Sequence, residues 1–261
     1  MSAGHLGEYS EAEFRRRLAR EIQKATFPAE VGPSDTPQAI LLGGQSGAGK
    51  TTLHKVFRQK LGNNVIVING DEFRSSHPRF ARLQHAFGDK SVDYTAPWAG
   101  HMTEAVIEHL SRIGYNLIIE GTLRTAEVPM KTAALLRGRG YGVSLALMAV
   151  KPEISLVSCQ IRYEEMRILG TTPRATDPAH HNKIIDQIVD NLAVLEESEL
   201  FDGVFLYNRA QELLFPREGV GQSASDALRD ILFGPWTAEE ERHYRKLQAK
   251  LGHLKETKPP F

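Results

Sequence analysis

The residues Gly44-Gln45-Ser46-Gly47-Ala48-Gly49-Lys50-Thr51 fit G-x-x-x-x-G-K-[ST], the spacing of a phosphate-binding P-loop, and Thr52 follows directly. Each residue type has a task in that chemistry. Glycines let the backbone bend so that several N–H groups converge on phosphate oxygens. A helix that starts at the loop adds its unpaired N–H groups and its dipole. Lys50 can reach the β- and γ-phosphates, and the Thr51 hydroxyl can meet magnesium. Residues 44–52 are therefore expected to bind ATP or GTP, against the alternative of a Gly-rich turn that matches by chance. The loop needs a strand before it and a helix after it. Ala39-Ile40-Leu41-Leu42 reads as a buried strand, and Leu53, Val56, Phe57 and Leu61 share one helical face.

The elements around this loop alternate. Asn64–Asn69, Asn116–Glu120, Val143–Val150 and Gly203–Tyr207 are apolar runs that suit strands of a parallel sheet covered on both faces. Helical patterns lie between and after them, at Pro97–Ile113 with Gly114 as a stop, Val128–Arg137, Pro152–Leu169, Ala179–Leu200, Ala224–Leu232 and Ala238–Leu251. Residues 75–90 read as polar with helical fragments. The fold class is α/β, a parallel sheet flanked by helices. Ser10 and Glu13 offer a capping box for a helix carrying Phe14, Leu18 and Ile22 on one stripe, with Arg15, Arg16, Arg17 and Arg20 on its other faces. Pro28–Pro37 reads as a linker. This divides the chain into an N-terminal helix and linker (1–37), a core (38–236) and a C-terminal helical extension (237–261).

Parallel sheets bind ligands outside the carboxyl ends of their strands. Asp71 lies just past the second strand, and Glu120, Thr122, Arg124 and Thr125 lie at or just past the third. Asp71 has the chemistry of a base for a substrate hydroxyl, or of a loop-capping aspartate. Glu120 stands where a carboxylate can organise magnesium, or where backbone N–H groups can satisfy it. Thr122 and Thr125 suit substrate hydroxyls or an ordinary turn. Arg162, on a helix, and Arg174, in the loop Gly170–Pro178, can neutralise a transferring phosphoryl group or form surface salt bridges. His180 and His181 lack a metal-ligand partner at suitable spacing, and Trp98 and Trp236 read as packing residues.

Composition narrows the classes. The 261 residues carry a formal net charge of +0, which gives no argument for nucleic-acid or membrane binding. The lone Cys159 excludes an intrachain disulfide and suits a cytoplasmic protein. The amino-terminal stretch lacks the apolar core of a signal peptide, and no apolar run approaches membrane-spanning length. A GTPase switch needs N-K-x-D; Asn182-Lys183-Ile184-Ile185-Asp186 has one residue too many.

Taken in order, Leu41–Thr52, Asn69–Pro78, Ile119–Arg124 and Ile161–Glu165 resemble the zeta toxins of epsilon–zeta toxin–antitoxin systems, over about Tyr9 to Trp236. The resemblance implies a P-loop kinase fold and transfer of a phosphoryl group from ATP or GTP, with Mg2+, to the 3′-hydroxyl of the N-acetylglucosamine unit of UDP-N-acetylglucosamine, which poisons cell-wall synthesis. It implies Lys50 and Thr51 at phosphate and metal, Asp71 as base, Glu104, Thr122 and Arg124 near the sugar nucleotide, Glu120 at the metal, and Arg162 and Arg174 at the γ-phosphate. It also implies a small helical epsilon-type antitoxin as partner. Family members often carry Asp where this chain has Asn69, so any role of that carboxylate is absent. The rival readings are another small-molecule kinase with the same core and an ATP-driven binding or switch module.

Overall fold

The computed structural model describes residues 4–171, 176–216 and 221–257. After a four-residue turn of helix, α1 (Gly4–Gly7), comes α2 (Glu11–Thr26), then β1 (Gln38–Gly43) and the P-loop, α3 (Thr51–Lys60) and β2 (Ile66–Asn69). A 3-10 turn at Glu72–Ser76 leads to α4 (Phe80–Phe87) and the long α5 (Ser91–Ile113), followed by β3 (Leu117–Glu120), α6 (Glu127–Arg137) and β4 (Gly142–Met148). The chain continues through α7 (Pro152–Ile168), α8 (Pro178–Glu197), β5 (Gly203–Tyr207), β6 (Leu213–Phe215), α9 (Ala224–Phe233) and α10 (Ala238–Glu256).

The strands form one sheet in the order β2-β3-β1-β4-β5-β6, parallel except for β6, which runs antiparallel to β5. Side chains of β1 alternate between two apolar layers. Ala39 and Leu41 join a core with Ile68, Trp98, Met102 and Ile119, whereas Ile40 and Leu42 join Leu53, Phe57, Ile118 and Tyr207 on the opposite face. That two-residue period on both faces explains why β1 reads as a continuous apolar run.

The helix boundaries follow local chemistry. Ser10 and Glu13 form the expected capping box of α2, and Thr237 and Glu240 form another at α10. Gly114 ends α5 in the left-handed region at φ 93°. Asp177 caps α8, whose first residue is Pro178.

Several boundaries differ from the sequence reading, among them α10, which runs on to Glu256, and α8, which stops at Glu197. The helix expected from Pro97 begins at Ser91 and carries Pro97 in its second turn. The proline removes one helical hydrogen bond, but burial of Ser91, Thr95, Trp98 and Met102 on one face holds the helix through it. The second and third strands start later than expected because Asn64 and Asn116 are spent as ties. Asn116 donates to Asn64 O at 2.8 Å and accepts from Gln38 N at 2.8 Å, and Asn64 accepts from Gly32 N at 2.8 Å. The short antiparallel β6 had no counterpart in the sequence reading, since three residues carry too little pattern.

The terminal helices pack onto the core. Phe14 of α2 is buried, stacks on His101 at 3.8 Å and meets Trp98 edge-on at 5.4 Å. Val157 and Ile161 of α7 pack with Leu251 of α10. Both tryptophans are packing residues: Trp98 is fully buried with its indole N–H donating to Phe73 O and Ser76 Oγ, and Trp236 lies against Tyr244.

Candidate active site

The sheet register sets the site. Leu42, Glu120 and Asn69 occupy one level of three adjacent strands. The P-loop, the Asp71 turn and the Thr122–Thr125 turn therefore leave the same carboxyl edge side by side.

The loop itself is a tight structure. Gly44, Gly47 and Gly49 have φ of 129°, 77° and 100°, which L side chains rarely adopt. At Gly47 space is closed as well: a Cβ would stand 2.1 Å from Ser155 O. Gln45 is fully buried and donates to Val150 O at 2.8 Å and Ser155 Oγ at 3.2 Å. Ser155 in turn meets Nε2 of the fully buried His181 at 2.9 Å. Burial pushes the His181 imidazole below its usual value, so it serves as a neutral structural group.

Lys50 Nζ donates to Gly44 O at 2.7 Å and Gln45 O at 3.3 Å, curled onto its own loop. Burial pushes the ammonium below the ordinary lysine range; Glu120, Asp71 and Cys159 pull it back up, and Arg162 pushes it down. Lys50, Asp71, Glu120 and Arg162 thus share one electrostatic neighbourhood.

The Asp71 carboxylate makes no cap to the 3-10 turn it precedes. It is 65% exposed and pairs with Arg74 Nε at 3.0 Å. Arg74 is anchored by Val92 O at 2.7 Å and Thr95 Oγ1 at 3.2 Å, both on α5. Asn69 Oδ1 accepts from Asp71 N at 3.1 Å, so the amide at position 69 still shapes the turn in which a carboxylate is absent.

Glu120 is almost buried, and its Oε1 pairs with His54 Nε2. A nearly buried carboxylate beside the P-loop, with its second oxygen not engaged by His54, fits a magnesium-supporting role. Among the described residues there is no cluster of three or more His, Cys, Asp or Glu side chains that would hold a metal by itself. A magnesium that arrives with phosphates and keeps its waters needs no such cage. Thr51 is exposed at the start of α3, where its hydroxyl is available for the same ion.

The Thr122–Thr125 turn is strained. Leu123 has φ 53°, unusual for a branched side chain, and its carbonyl accepts from Asn191 at 2.8 Å. The buried Leu123 side chain packs over Gly43, where a Cβ would stand 2.2 Å from Leu123 Cδ1. Its neighbours Arg124 and Thr125 are exposed and Thr122 is half-buried. Glu104, on α5, is exposed and 3.7 Å from Lys131. Arg162 is exposed on α7 with no ion pair among the described residues. Arg174 lies outside the described residues. His180 is exposed.

The family model described as Zeta toxin matches residues 23–219, from within α2 to beyond β6. The chain belongs to the zeta toxin family. Toxin PezT of Streptococcus pneumoniae is 43% identical over 96% of this chain and 99% of its own length. Toxin zeta of Streptococcus pyogenes is 37% identical over 78% of this chain and 71% of its own length. A solved structure from the PezAT chromosomal toxin-antitoxin system of Streptococcus pneumoniae superposes with a TM-score of 0.87 at 41% identity, covering 97% of this chain and 99% of that one.

This zeta-family site includes a residue that the sequence reading passed over. Arg209, two positions beyond β5, donates through Nη2 to Gly47 O and to Ser158 Oγ at 2.8 Å, and through Nε to Ala48 O at 3.2 Å. The signal was available: a cation just past the carboxyl end of a parallel strand sits on the ligand edge. Its chain neighbours form no motif, so nothing marked it out.

Proposed function

We propose that this chain is a kinase that transfers the γ-phosphoryl group of ATP, or GTP, to the 3′-hydroxyl of the N-acetylglucosamine unit of UDP-N-acetylglucosamine. The observation that carries the phosphotransferase reading is the convergence on Lys50: P-loop ammonium, exposed Asp71, nearly buried Glu120 and exposed Arg162 lie at one edge of the sheet. The zeta-family resemblance supports the acceptor.

The chain's residues divide the work. The N–H groups of Gly47–Thr52 hold the phosphates, and Lys50 leaves its loop carbonyls to meet the β- and γ-oxygens. Asp71 accepts the proton of the acceptor hydroxyl as its oxygen bonds to the γ-phosphorus and the bond to ADP breaks. Arg162 and Arg174 neutralise charge on the transferring group from the side opposite Lys50. Glu104, Thr122 and Arg124 orient the sugar nucleotide. Thr51 and Glu120 would hold Mg2+, which would supply positive charge to offset that of the phosphates. We assign the kinase core to 38–236, with 1–37 and 237–261 as helical extensions that buttress it.

The setting follows from the acceptor, a bacterial cytoplasmic cell-wall precursor. No helix among the described residues is long and apolar enough to cross a membrane. A relative solved from a toxin-antitoxin system supports a small helical antitoxin as partner. Incubation with ATP, Mg2+ and UDP-N-acetylglucosamine should yield a singly phosphorylated UDP-sugar by mass spectrometry. An unchanged UDP-sugar, with ADP released on another acceptor, refutes the substrate and keeps the kinase. Expression should arrest or lyse bacteria, and Lys50→Ala should relieve it; harmless wild-type expression at verified protein levels counts against a toxin.

A further inference from the structure

Two cations hold the carbonyl side of the P-loop. Lys50 holds Gly44 O and Gln45 O, and Arg209 holds Gly47 O and Ala48 O. They differ in what binding asks of them. Lys50 must swing off its carbonyls to reach a phosphate. Arg209 reaches the loop from behind and is pinned by Ser158 Oγ.

The geometry of the peptide gives that contact a consequence. In a trans peptide the C=O and the next N–H point opposite ways. With Ala48 O turned to the Arg209 guanidinium, the Gly49 N–H points away from it, toward the concave side of the loop. The Arg209 stem also lies along Gly49, where a Cβ would stand 3.7 Å from Arg209 Cγ. Gly49, at φ 100°, has little backbone restraint of its own.

We propose that Arg209 is a positioning residue that locks the Ala48–Gly49 peptide with the Gly49 N–H aimed at the nucleotide phosphates, while the Ala48 N–H closes the loop onto Gln45 O. It touches no phosphate. It supports ground state and transition state alike, so its loss falls on binding rather than on turnover. The proposal rests on the reading that the P-loop binds a nucleoside triphosphate.

The test is calorimetric binding of MgATP to wild type, Arg209→Gln, Arg209→Lys and Ser158→Ala, with melts of the unliganded proteins and steady-state kinetics. The Arg209→Gln variant loses charge-assisted hydrogen bonds, so Kd should weaken about 10- to 100-fold, with KM for ATP rising in step and kcat close to wild type. Arg209→Lys should recover part of the loss, and Ser158→Ala, which frees the guanidinium from its pin, should show a smaller one. An unchanged Kd in Arg209→Gln, with or without a lowered melting temperature, overturns the proposal and leaves the kinase standing. A kcat loss at unchanged Kd does the same. If Arg209→Gln fails to fold, Ser158→Ala decides: weaker binding supports the proposal, and unchanged binding overturns it. A wild type that takes up no MgATP overturns the nucleotide reading and the proposal together.

Discussion

On the P-loop side of the site, Gln45, Ser155 and His181 are fully buried and linked by hydrogen bonds, and Lys50 and Arg209 brace four loop carbonyls. On the facing side, Asp71, Glu104, Arg124 and Arg162 stand in solvent. Asp71 has Arg74, and Glu104 has a loose contact with Lys131. The contrast is between a rigid, hydrogen-bonded loop, which we propose holds the phosphates, and a set of exposed groups placed by backbone, which we propose meets the acceptor. Buried hydrogen-bonded networks are costly to disturb. Exposed charges cost little to remove and act only when a substrate desolvates them. Substitutions on the two sides should therefore fail in different ways.

The sharpest break of that contrast is Asp71→Ala. As the base, it should lose about 10²- to 10⁴-fold in kcat while MgATP affinity and melting temperature stay at wild-type values. Turnover near wild type would remove Asp71 from the mechanism. Next comes Arg162→Ala, expected to lower kcat by about 10²-fold with a smaller change in ATP binding, since its contact belongs to the transition state. Turnover within a few-fold of wild type would return Arg162 to the solvated surface. A similar or smaller loss is expected for Arg174→Ala.

Arg124→Ala probes the acceptor side more gently. Loss of one charged hydrogen-bonding group should raise the acceptor KM about 10-fold and leave the ATP KM alone. A rise in the ATP KM instead would place Arg124 with the phosphates. The smallest effect on turnover belongs to the opposite side. Ser155→Ala strips His181 Nε2 of its partner and Gln45 of one acceptor, which should cost about 1–3 kcal/mol of stability in denaturant titrations. A variant as stable as wild type would show that this network is not what rigidifies the cradle.

Much of this was legible in the chain. The P-loop, its strand and its helix are local, because glycine spacing and apolar periodicity act over a few residues. The capping box of Ser10 and Glu13 and the stop at Gly114 are local for the same reason. So is the α/β alternation that puts Asp71 and Glu120 at strand ends. What the sequence could not determine depends on parts far apart in the chain. Pro97 inside α5 is held by burial against the sheet rather than by its own propensity. The link from Gln45 to Ser155 to His181 crosses more than a hundred residues, and so does the reach of Arg209 back to Gly47. Sequence names the groups able to meet a phosphate. Strand order and register decide which of them share one edge, because only pairing of β2 with β3, of β1 with β3 and β4, and of β4 with β5 brings those strand ends into line.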